Sequence, residues 1–472
     1  MAYGYWKTGT GEDLVVFHHF FRRNPFKGGY TVAAGLEYAI DLLKNFRFDS
    51  SDLEYLESLT GSDGKPLFEK EFLDYLGRME FCCDIDAVPE GTVVFPHEPL
   101  VRVTGPIIQA QLVESLLLNI INFQSLIATK AARVCMAAGS TPVIEFGLRR
   151  AQGIDGGLAA SRAAFIGGCV GTSNTLAGKL FGIPVKGTHA HSWVMFFDSE
   201  LESFAAYAAA MPNNCIFLVD TYNSLNGVKN AIKIGIKLRQ EGHEMIGIRL
   251  DSGDLAYLSI EARRMLDEAG FRNTMIVASN ELDETIIESL NLQGAAITVW
   301  GVGTKLVTGH GQPALGGVYK LAAIKKNEVW QRKLKLSEQV IKVNNPGILN
   351  VRRFFDKNGL AVADAIYDIE EHESQSWIIV DPVTPMHKKD VASALEYEDL
   401  LVPVLRQGKP VYDLPEITLI QIRTKQQLEL FHPAIKRFVN PHVYPVGLES
   451  RLHNIKMDLV TEERSKNVRI DK

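Results

Sequence analysis

The segment GTHAHSW, residues 187–193, contains two histidines and is the first candidate for chemistry in the sequence. A histidine such as His191 can accept a phosphoryl group, act as a general base, bind a metal ion, or lie hydrogen-bonded in a core. Because an apolar run from Ile183 leads into it, the segment is predicted to end a strand, where His189 and His191 would share a face and could form a metal pair. The spacing indicates no third metal ligand, and by itself leaves catalytic and structural roles equally open for His191.

The segment IRLDSGD places a cation beside carboxylates at the end of another predicted strand. Arg249 and Asp251 could form only an ion pair, which is the commoner role of an Arg-x-Asp sequence. At a strand end, Arg249 could instead hold a planar carboxylate in its guanidinium fork. Asp251 could accept ribose hydroxyls, bind Mg²⁺, or stabilise positive charge that develops on a sugar carbon.

Three further segments contain groups that suit phosphate. In WGVGTKLVT, Gly301 and Gly303 can turn backbone N–H groups toward a phosphate and Thr304 adds a hydroxyl, although such a sequence most often forms only a turn. Lys320, in GGVYKL, is a candidate phosphate contact or a solvated lysine. Arg149, in EFGLRRAQG, suits anion binding or an exposed face.

Polar residues follow nearly every predicted strand between about residues 180 and 322. Apolar runs begin at 183, 216, 245, 275, 296 and 316, with helical patterns at 226–242, 254–270 and 282–294. This spacing is typical of a β-α repeat with a parallel sheet, and it favours an irregular α/β barrel over an open doubly wound sheet. The strand ends carry Asp220, Arg249 with Asp251, Ser279 with Asn280, and Gly303 with Thr304. Since parallel barrels build their sites at that edge, these residues predict a site for a phosphorylated sugar and a small carboxylate.

The remaining sequence predicts an α+β domain made from both chain ends. Helical patterns at 31–46 and 66–78 precede strands around 91–104, and the apolar stretch 107–138 predicts one or two core helices. From about residue 325 the chain is more charged and contains strand-like pieces. We therefore predict the N-terminal part of this domain at 1–125, a catalytic barrel at 126–335, and a C-terminal part at 336–472 that packs on both.

The composition is that of a globular protein, with 46% hydrophobic and 22% charged residues. A net charge of −6 provides no overall basic field for nucleic acid, and neither a P-loop nor a G-x-G-x-x-G fingerprint is present. The N-terminus does not resemble a secretory signal, and the alanine-rich stretches are too short to cross a bilayer. Five cysteines without a C-x-x-C pair indicate buried thiols. We expect a cytosolic protein with neither nucleic-acid nor membrane partners.

Eight segments follow one another along the chain: FGLRRAQGIDGGLAAS, GTSNTLAG, GTHAHSW, LVDTYN, IRLDSGDL, ASNELDE, GVGT and LGGVYKL. Their types and order resemble the nicotinate phosphoribosyltransferase family, over most of the chain and most densely between residues 145 and 321. The resemblance implies the type II phosphoribosyltransferase fold, an irregular α/β barrel with a flanking α+β domain, in a homodimer. It also implies ATP-stimulated conversion of nicotinate and 5-phosphoribosyl 1-diphosphate to nicotinate mononucleotide and diphosphate, the first step of NAD salvage from nicotinate.

The resemblance further implies roles for single residues. In the family the histidine after Gly-Thr-x-Ala, here His191, is phosphorylated by ATP, and His189 occupies the variable position. Thr188 and Arg249 match nicotinate contacts, and Thr304 matches a contact to the phosphoribosyl donor. The other expected neighbours of the substrates are Arg149 near nicotinate, catalytic Asp251, which also binds Mg²⁺, and, near the donor, Ser279, Gly301, Gly303 and Lys320.

One departure concerns the start of the sequence. Family members usually carry a Thr-Asp-Leu-Tyr-like segment before MAYGYW, and its tyrosine stacks on the nicotinate ring. A chain that truly starts at Met1 is expected to lose this stack, worth on the order of 1 kcal/mol, because Tyr3 and Tyr5 do not occupy that position. A start codon assigned too late is the equal alternative. The alternatives are a nicotinamide or quinolinate phosphoribosyltransferase, and a catalytically weak, N-terminally shortened form that acts as a dimer partner.

Overall fold

The structure is a computed structural model that describes residues 1–371, 377–391 and 396–470. The chain forms two compact units. One is made from both chain ends, Met1–Leu126 and Ala314–Lys472, and the other is the central segment Ile127–Pro313.

The N-terminal part begins the first unit. Its elements, in chain order, are α1 (Ala2–Lys7), β1 (Leu14–Phe21), β2 (Thr31–Val32), α2 (Leu36–Leu43), α3 (Ser50–Ser58), α4 (Lys70–Arg78), β3 (Asp84–Ala87), β4 (Val93–Val94), β5 (Val101–Pro106), α5 (Ile107–Leu112) and α6 (Glu114–Ala138). The apolar stretch predicted as one or two core helices is therefore two helices. The pattern predicted as a helix over 31–46 instead begins with a short strand, β2.

The central unit alternates strands and helices. Its elements are β6 (Val143–Glu145), α7 (Ile154–Ile166), β7 (Gly171–Thr172), α8 (Thr175–Phe181), α9 (His191–Phe196), α10 (Glu200–Ala210), β8 (Ile216–Leu218), α11 (Ser224–Gln240), β9 (Gly247–Leu250), α12 (Leu255–Glu268), β10 (Met275–Asn280), α13 (Glu284–Leu292), β11 (Val299–Val302) and α14 (Thr304–Val307). The strands form one sheet in the order β7-β6-β11-β10-β9-β8, and every neighbouring pair is parallel. The predicted irregular α/β barrel is confirmed.

Side-chain caps place the barrel helices directly after the strand-end turns. Asn223, Asp254 and Asp283 each accept a backbone N–H from the first turn of α11, α12 and α13. Gly270 and Gly294 follow the ends of two of these helices with positive φ, as predicted for glycine at a helix C-terminus. Each helix thus starts and stops close to its strands, which keeps the carboxyl ends of all the strands at one edge.

The C-terminal part completes the first unit. Its elements are β12 (Gly317–Lys326), β13 (Val329–Arg332), β14 (Leu349–Phe355), β15 (Ala361–Asp368), β16 (Trp377–Val380), β17 (Lys388–Val391), β18 (Tyr397–Asp399), β19 (Val402–Arg406), β20 (Lys409–Pro410), α15 (Ile417–Glu429), β21 (Val446–Glu449) and α16 (Ser450–Ile470). A seven-stranded sheet has the order β13-β12-β1-β5-β3-β19-β20, and a six-stranded sheet has the order β17-β16-β21-β15-β14-β18. Strands from the two chain ends therefore share the larger sheet.

Several histidines of this unit are buried without a charge. His18 Nε2 accepts the Leu349 N–H at 3.2 Å, and His19 Nε2 lies 2.9 Å from Asn122 Oδ1. Burial lowers the pKa of His18 to about 3 and the pKa of His19 and His97 to about 4. These rings are neutral core residues at physiological pH.

Two predicted strands differ from the structure. The run from Ile183 is not a strand, because its only ladder contact is an isolated bridge between Val185 and Thr172. GGVYKL begins β12, which pairs antiparallel with β1 and therefore does not extend the parallel barrel sheet. In the described residues, no helix is both long and apolar enough to cross a membrane.

Candidate active site

A cleft of about 650 Å³ opens at the carboxyl ends of the barrel strands. Polar, glycine and some apolar residues line it, from the strand ends and the turns that follow them. The lining residues are Phe146, Leu148, Arg149, Arg150, Ser173, Gly187, Thr188, Ala190, His191, Leu218, Arg249, Asp251, Ser279, Asn280, Glu281, Gly301, Gly303 and Thr304. Most of the residues singled out in the sequence therefore meet in one cavity, at the edge where a parallel barrel is expected to build its site.

Arg249, on β9, is held by three hydrogen bonds. Its Nε donates to Ser279 Oγ at 2.8 Å, Nη1 to Thr188 Oγ1 at 2.9 Å, and Nη2 to Asp251 Oδ1 at 2.9 Å. Because a guanidinium has five N–H donors, these contacts leave one donor on each terminal nitrogen. The fork is thus fixed in orientation and can still receive a planar anion.

Asp251 is the negative centre of the cleft. Burial alone would raise its pKa, but hydrogen bonds from Ser279 and Arg249 and the charge of Arg249 outweigh burial and lower the pKa below its ordinary value. Its backbone N–H donates to Asp220 Oδ2 at 2.9 Å, and Ser252 Oγ donates to the same oxygen at 2.6 Å. Asp251 is therefore a fixed carboxylate that remains charged well below neutral pH.

His191 is the first residue of α9, so the prediction that it ends a strand is wrong. Its Nδ1 lies 3.1 Å from Thr221 Oγ1, and its Nε2 lies 3.7 Å from Asp251 Oδ2. The side chain is 40% exposed. One ring nitrogen thus faces a hydroxyl and the other a carboxylate, and the ring remains open to the cleft.

His189 does not share this environment. Its ring is buried and packs against Phe204 and Tyr207, whereas His191 faces the cleft. The metal pair considered from the sequence is therefore not formed by these two rings.

The glycine-rich turn after β11 forms another wall. A Cβ at Gly301 would lie 2.6 Å from the Phe146 ring, so only glycine allows this ring to pack against the strand. Thr304 opens α14 immediately after Gly303. Gly301, Gly303 and Thr304 all line the cleft. Phosphate binding by this turn stays a prediction.

Arg149 and Lys320, the two other basic residues considered as anion contacts, lie in different places. Arg149 lies in the exposed turn Leu148–Arg150 and lines the cleft. Lys320 lies on β12 of the other unit, opposite His18 in the ladder, and lines a small cavity there with His18 and His97. A substrate role for Lys320 remains a prediction.

The structure also brings in residues that the sequence did not single out. Phe146 lines the cleft, and its ring centre is 5.5 Å from the guanidinium carbon of Arg249, within cation–π range. Thr221 orients His191. Their positions in the sequence gave a signal, because both residues directly follow strand-end positions. Phenylalanine and threonine are too common at such positions for this signal to single them out.

Comparison with known proteins gives a consistent result along the chain. The nicotinate phosphoribosyltransferase (NAPRTase) N-terminal domain model matches residues 1–122. The NAPRTase family model matches residues 142–345, and the nicotinate phosphoribosyltransferase C-terminal domain model matches residues 348–456.

Individual relatives match over nearly their full length. Nicotinate phosphoribosyltransferase of Bacillus subtilis is 43% identical, with 99% of this chain and 94% of the relative covered. The human protein of the same name is 34% identical, with 96% and 93% covered.

Comparison with solved structures gives the same family. The crystal structure of human nicotinic acid phosphoribosyltransferase superposes with a TM-score of 0.86 at 32% identity, covering 97% of this chain and 98% of that one. The nicotinate-nucleotide pyrophosphorylase of Pyrococcus furiosus gives 0.67 at 20% identity, covering 91% and 92%, which indicates a shared fold.

Proposed function

This chain belongs to the nicotinate phosphoribosyltransferase family, and we propose that its barrel cleft is where nicotinate reacts with 5-phosphoribosyl 1-diphosphate. The products are nicotinate mononucleotide and diphosphate, in the biosynthesis of NAD. The observation that carries the assignment of the cleft is the fixed guanidinium of Arg249 beside the charged carboxylate of Asp251. Together they present a carboxylate receptor next to a group that can stabilise a cationic sugar.

Nicotinate is bound through its carboxylate. The two remaining donors of Arg249 suit a planar carboxylate, and the Thr188 hydroxyl lies beside them. The Phe146 ring offers an aromatic surface for the pyridine ring. Arg149 adds positive charge at the same cleft, which favours an acid over the neutral amide.

The transfer step exchanges one bond at C1 of the ribose for another. The pyridine nitrogen of nicotinate bonds to C1 as the bond from C1 to the diphosphate oxygen breaks, and the diphosphate leaves with the electron pair. Asp251 stabilises the positive charge that develops on the sugar, because its carboxylate is ionised before the reaction starts. Thr304 and the backbone at Gly301 and Gly303 hold the donor phosphates, with Ser279 beside the ribose.

His191 couples ATP hydrolysis to this reaction. Its Nδ1 lies 3.1 Å from Thr221 Oγ1 and its Nε2 lies 3.7 Å from Asp251 Oδ2, so neighbours hold the ring while it stays open to the cleft. A ring nitrogen of His191 attacks the γ-phosphorus of ATP, the bond from phosphorus to the bridging oxygen breaks, and ADP leaves. Water later cleaves the phosphorus–nitrogen bond, which releases phosphate and regenerates the free ring. Phosphorylation of the ring then favours the state of the enzyme that binds the donor tightly or in which the cleft is closed. ATP cleavage is thus linked to a change in the state of the enzyme, and not to the bond exchange at C1 itself.

Mg²⁺ fits the cleft in company with substrate phosphates. The described residues contain no group of three or more His, Cys, Asp or Glu side chains that could hold a metal ion. Asp251 lines the cleft, with Oδ2 3.7 Å from His191 Nε2, and Mg²⁺ commonly binds through one carboxylate together with phosphate oxygens. When bound, the ion neutralises diphosphate charge. A homodimer, implied by the family resemblance, and the cytosolic location expected from the sequence are also part of the proposal.

A substrate panel tests the assignment of substrate. The purified chain is assayed for mononucleotide formation from nicotinate, nicotinamide and quinolinate at equal concentration, each with 5-phosphoribosyl 1-diphosphate. We expect nicotinate to be preferred, because the two remaining donors of Arg249 suit one carboxylate, whereas nicotinamide has none and quinolinate carries a second. A preference for nicotinamide or quinolinate, or no turnover of any of them, would contradict the proposal.

His191→Ala tests the coupling to ATP. In the unsubstituted chain ATP should raise the rate of mononucleotide formation, whereas the variant should retain basal transfer and lose the ATP effect. Radiolabelled γ-phosphate should appear on the chain and be absent from the variant. His310→Ala, at an exposed histidine, is the control. Full ATP stimulation in His191→Ala would refute the role of this ring.

A further inference from the structure

His189 occupies an unusual position for a residue in a substrate-binding loop. Its side chain is buried, with the residue 8% exposed, although Gly187 and Ala190 on either side are exposed. Its Nε2 accepts the Leu218 backbone N–H at 3.2 Å, and its Nδ1 lies 3.4 Å from Ala190 O. The ring is therefore neutral, with its proton on Nδ1, in accord with a pKa that burial lowers to about 4.

The Leu218 N–H belongs to an edge of the barrel sheet. β8 pairs with β9 on one side, where Val219 N–H donates to Arg249 O at 3.1 Å. Adjacent amides of a strand point in opposite directions, so Leu218 N–H points away from β9. His189 supplies the acceptor that a further strand would otherwise provide at this edge.

The same segment also pairs with the opposite edge of the sheet. Thr172 N–H, on β7, donates to Pro184 O at 3.0 Å, and Lys186 N–H donates to Thr172 O at 2.9 Å. Residues 184–189 therefore bridge the gap between β7 and β8, with backbone bonds on one side and the His189 ring on the other. Tyr207, 4.8 Å away in an edge-on contact, packs against that ring from α10.

We propose that His189 is a positioning residue that closes the barrel and thereby places Thr188 and His191 over the cleft. Thr188, its neighbour in the chain, accepts the Arg249 hydrogen bond, and His191 lies two residues further on. Thr188 and His191 have roles in substrate binding and phosphorylation only if the proposed function is right. The change in KM expected on substitution of His189 therefore rests on the proposed function. The variable position of the Gly-Thr-x-Ala-His motif is, in this chain, a structural link to the sheet.

The experiment compares two substitutions. His189→Leu keeps an apolar side chain and removes the acceptor, whereas His189→Gln keeps a neutral acceptor at similar reach. We expect the Leu variant to raise the nicotinate KM about tenfold with kcat little changed, because a buried N–H without a partner loosens the loop. The Gln variant should keep the nicotinate KM near that of the unsubstituted chain.

Thr298→Val is the matched control. Thr298 Oγ1 accepts the Ile276 N–H at 2.9 Å, so this variant also removes a side-chain acceptor from a barrel strand, but at the amino end of β10. It should lower the melting temperature and leave the nicotinate KM unchanged. An unchanged KM in His189→Leu, or an equal rise in Thr298→Val, would overturn the proposal.

Amide hydrogen exchange separates this proposal from the proposed function. Without any substrate, residues 187–191 should exchange faster in His189→Leu than in the unsubstituted chain, and at the ordinary rate in Thr298→Val. Unaltered exchange in the Leu variant would reject the positioning role even if the enzyme assays succeed. Absence of turnover in the unsubstituted chain, with the exchange difference intact, would reject the proposed function alone.

Discussion

Arg249 illustrates how much of the chemistry depends on one side chain and its partners. Three neighbours hold its guanidinium, so the fork needs little further ordering when a carboxylate arrives. A lysine at this position would provide a point charge on a flexible stem. The geometry of the donors, and not the charge alone, is therefore expected to decide affinity for nicotinate.

Arg249→Lys separates these two contributions. The variant keeps the positive charge and loses the two-pronged contact, so we expect the KM for nicotinate to rise by about 100-fold, a cost of about 3 kcal/mol. The KM for the phosphoribosyl donor should change much less. Steady-state kinetics with each substrate varied in turn provides the measurement. Arg264→Lys, at an exposed helix position, is the control, and a nicotinate KM within twofold of the original would contradict the carboxylate role.

Many site residues could be predicted from the sequence because they lie at, or directly after, the carboxyl ends of buried strands. Parallel strands end at one edge, so Arg249, Asp251, Ser279 and Thr304 had to meet there. The partners of His191 could not be predicted in the same way. Its contact with Thr221 joins residues from different turns, and the burial of His189 depends on rings from α10.

At the scale of elements, the barrel depends on close approach between helices and strands. A Cβ at Gly227, in α11, would lie 2.0 Å from the carbonyl oxygen of Val219, which directly follows β8. Only a residue without a side chain permits this separation. Because Asp220 and Thr221 follow Val219 immediately, the packing of α11 reaches the residues that support Asp251 and His191.

Gly227→Ala should therefore destabilise the barrel by roughly 2–3 kcal/mol through overpacking. Gly156→Ala is the matched opposite, since a Cβ there in α7 meets nothing within 4 Å and alanine should stabilise the helix by about 1 kcal/mol. Thermal denaturation of both variants measures the difference. A melting temperature of Gly227→Ala that is no lower than that of the unsubstituted chain would contradict the close packing of α11 against the residue that follows β8.

The two predicted strands that differ from the structure do so for different physical reasons. Pro184 lacks an N–H, and Gly187 follows soon after, so the run from Ile183 makes only an isolated bridge with Thr172 although its composition suits a strand. GGVYKL was correctly predicted as a strand, but its partner was not. Local patterns specify that a segment is extended, whereas the choice of neighbour depends on β1, some 300 residues away along the chain.

At the scale of the whole molecule, buried neutral histidines make stability depend on pH. His18, His19, His97 and His189 have folded-state pKa values of about 3 to 4, below the ordinary value of 6.5. Between these values the unfolded chain binds protons that the folded chain does not. The free energy of unfolding therefore falls as the pH is lowered from about 6.5, with up to about 1.4 kcal/mol lost per pH unit for each such ring.

We expect the melting temperature to drop steeply between pH 7 and pH 5. His18→Gln retains a neutral acceptor for the Leu349 N–H and should make this dependence shallower. His310→Gln, at an exposed position, should leave the dependence of the melting temperature on pH unchanged. A melting temperature that is constant from pH 7 to pH 5 would show that these rings do not resist protonation in the fold.

The shared seven-stranded sheet has a consequence for synthesis. β1 lies between β5 and β12, yet β12 is made only after the entire segment Ile127–Pro313. At roughly 5–20 residues per second, the ribosome needs on the order of 10–40 seconds for that segment, and during this time one edge of β1 has no partner. Unpaired edges invite pairing with other chains, so the nascent protein is most vulnerable to aggregation, and most in need of a chaperone, before its barrel is complete.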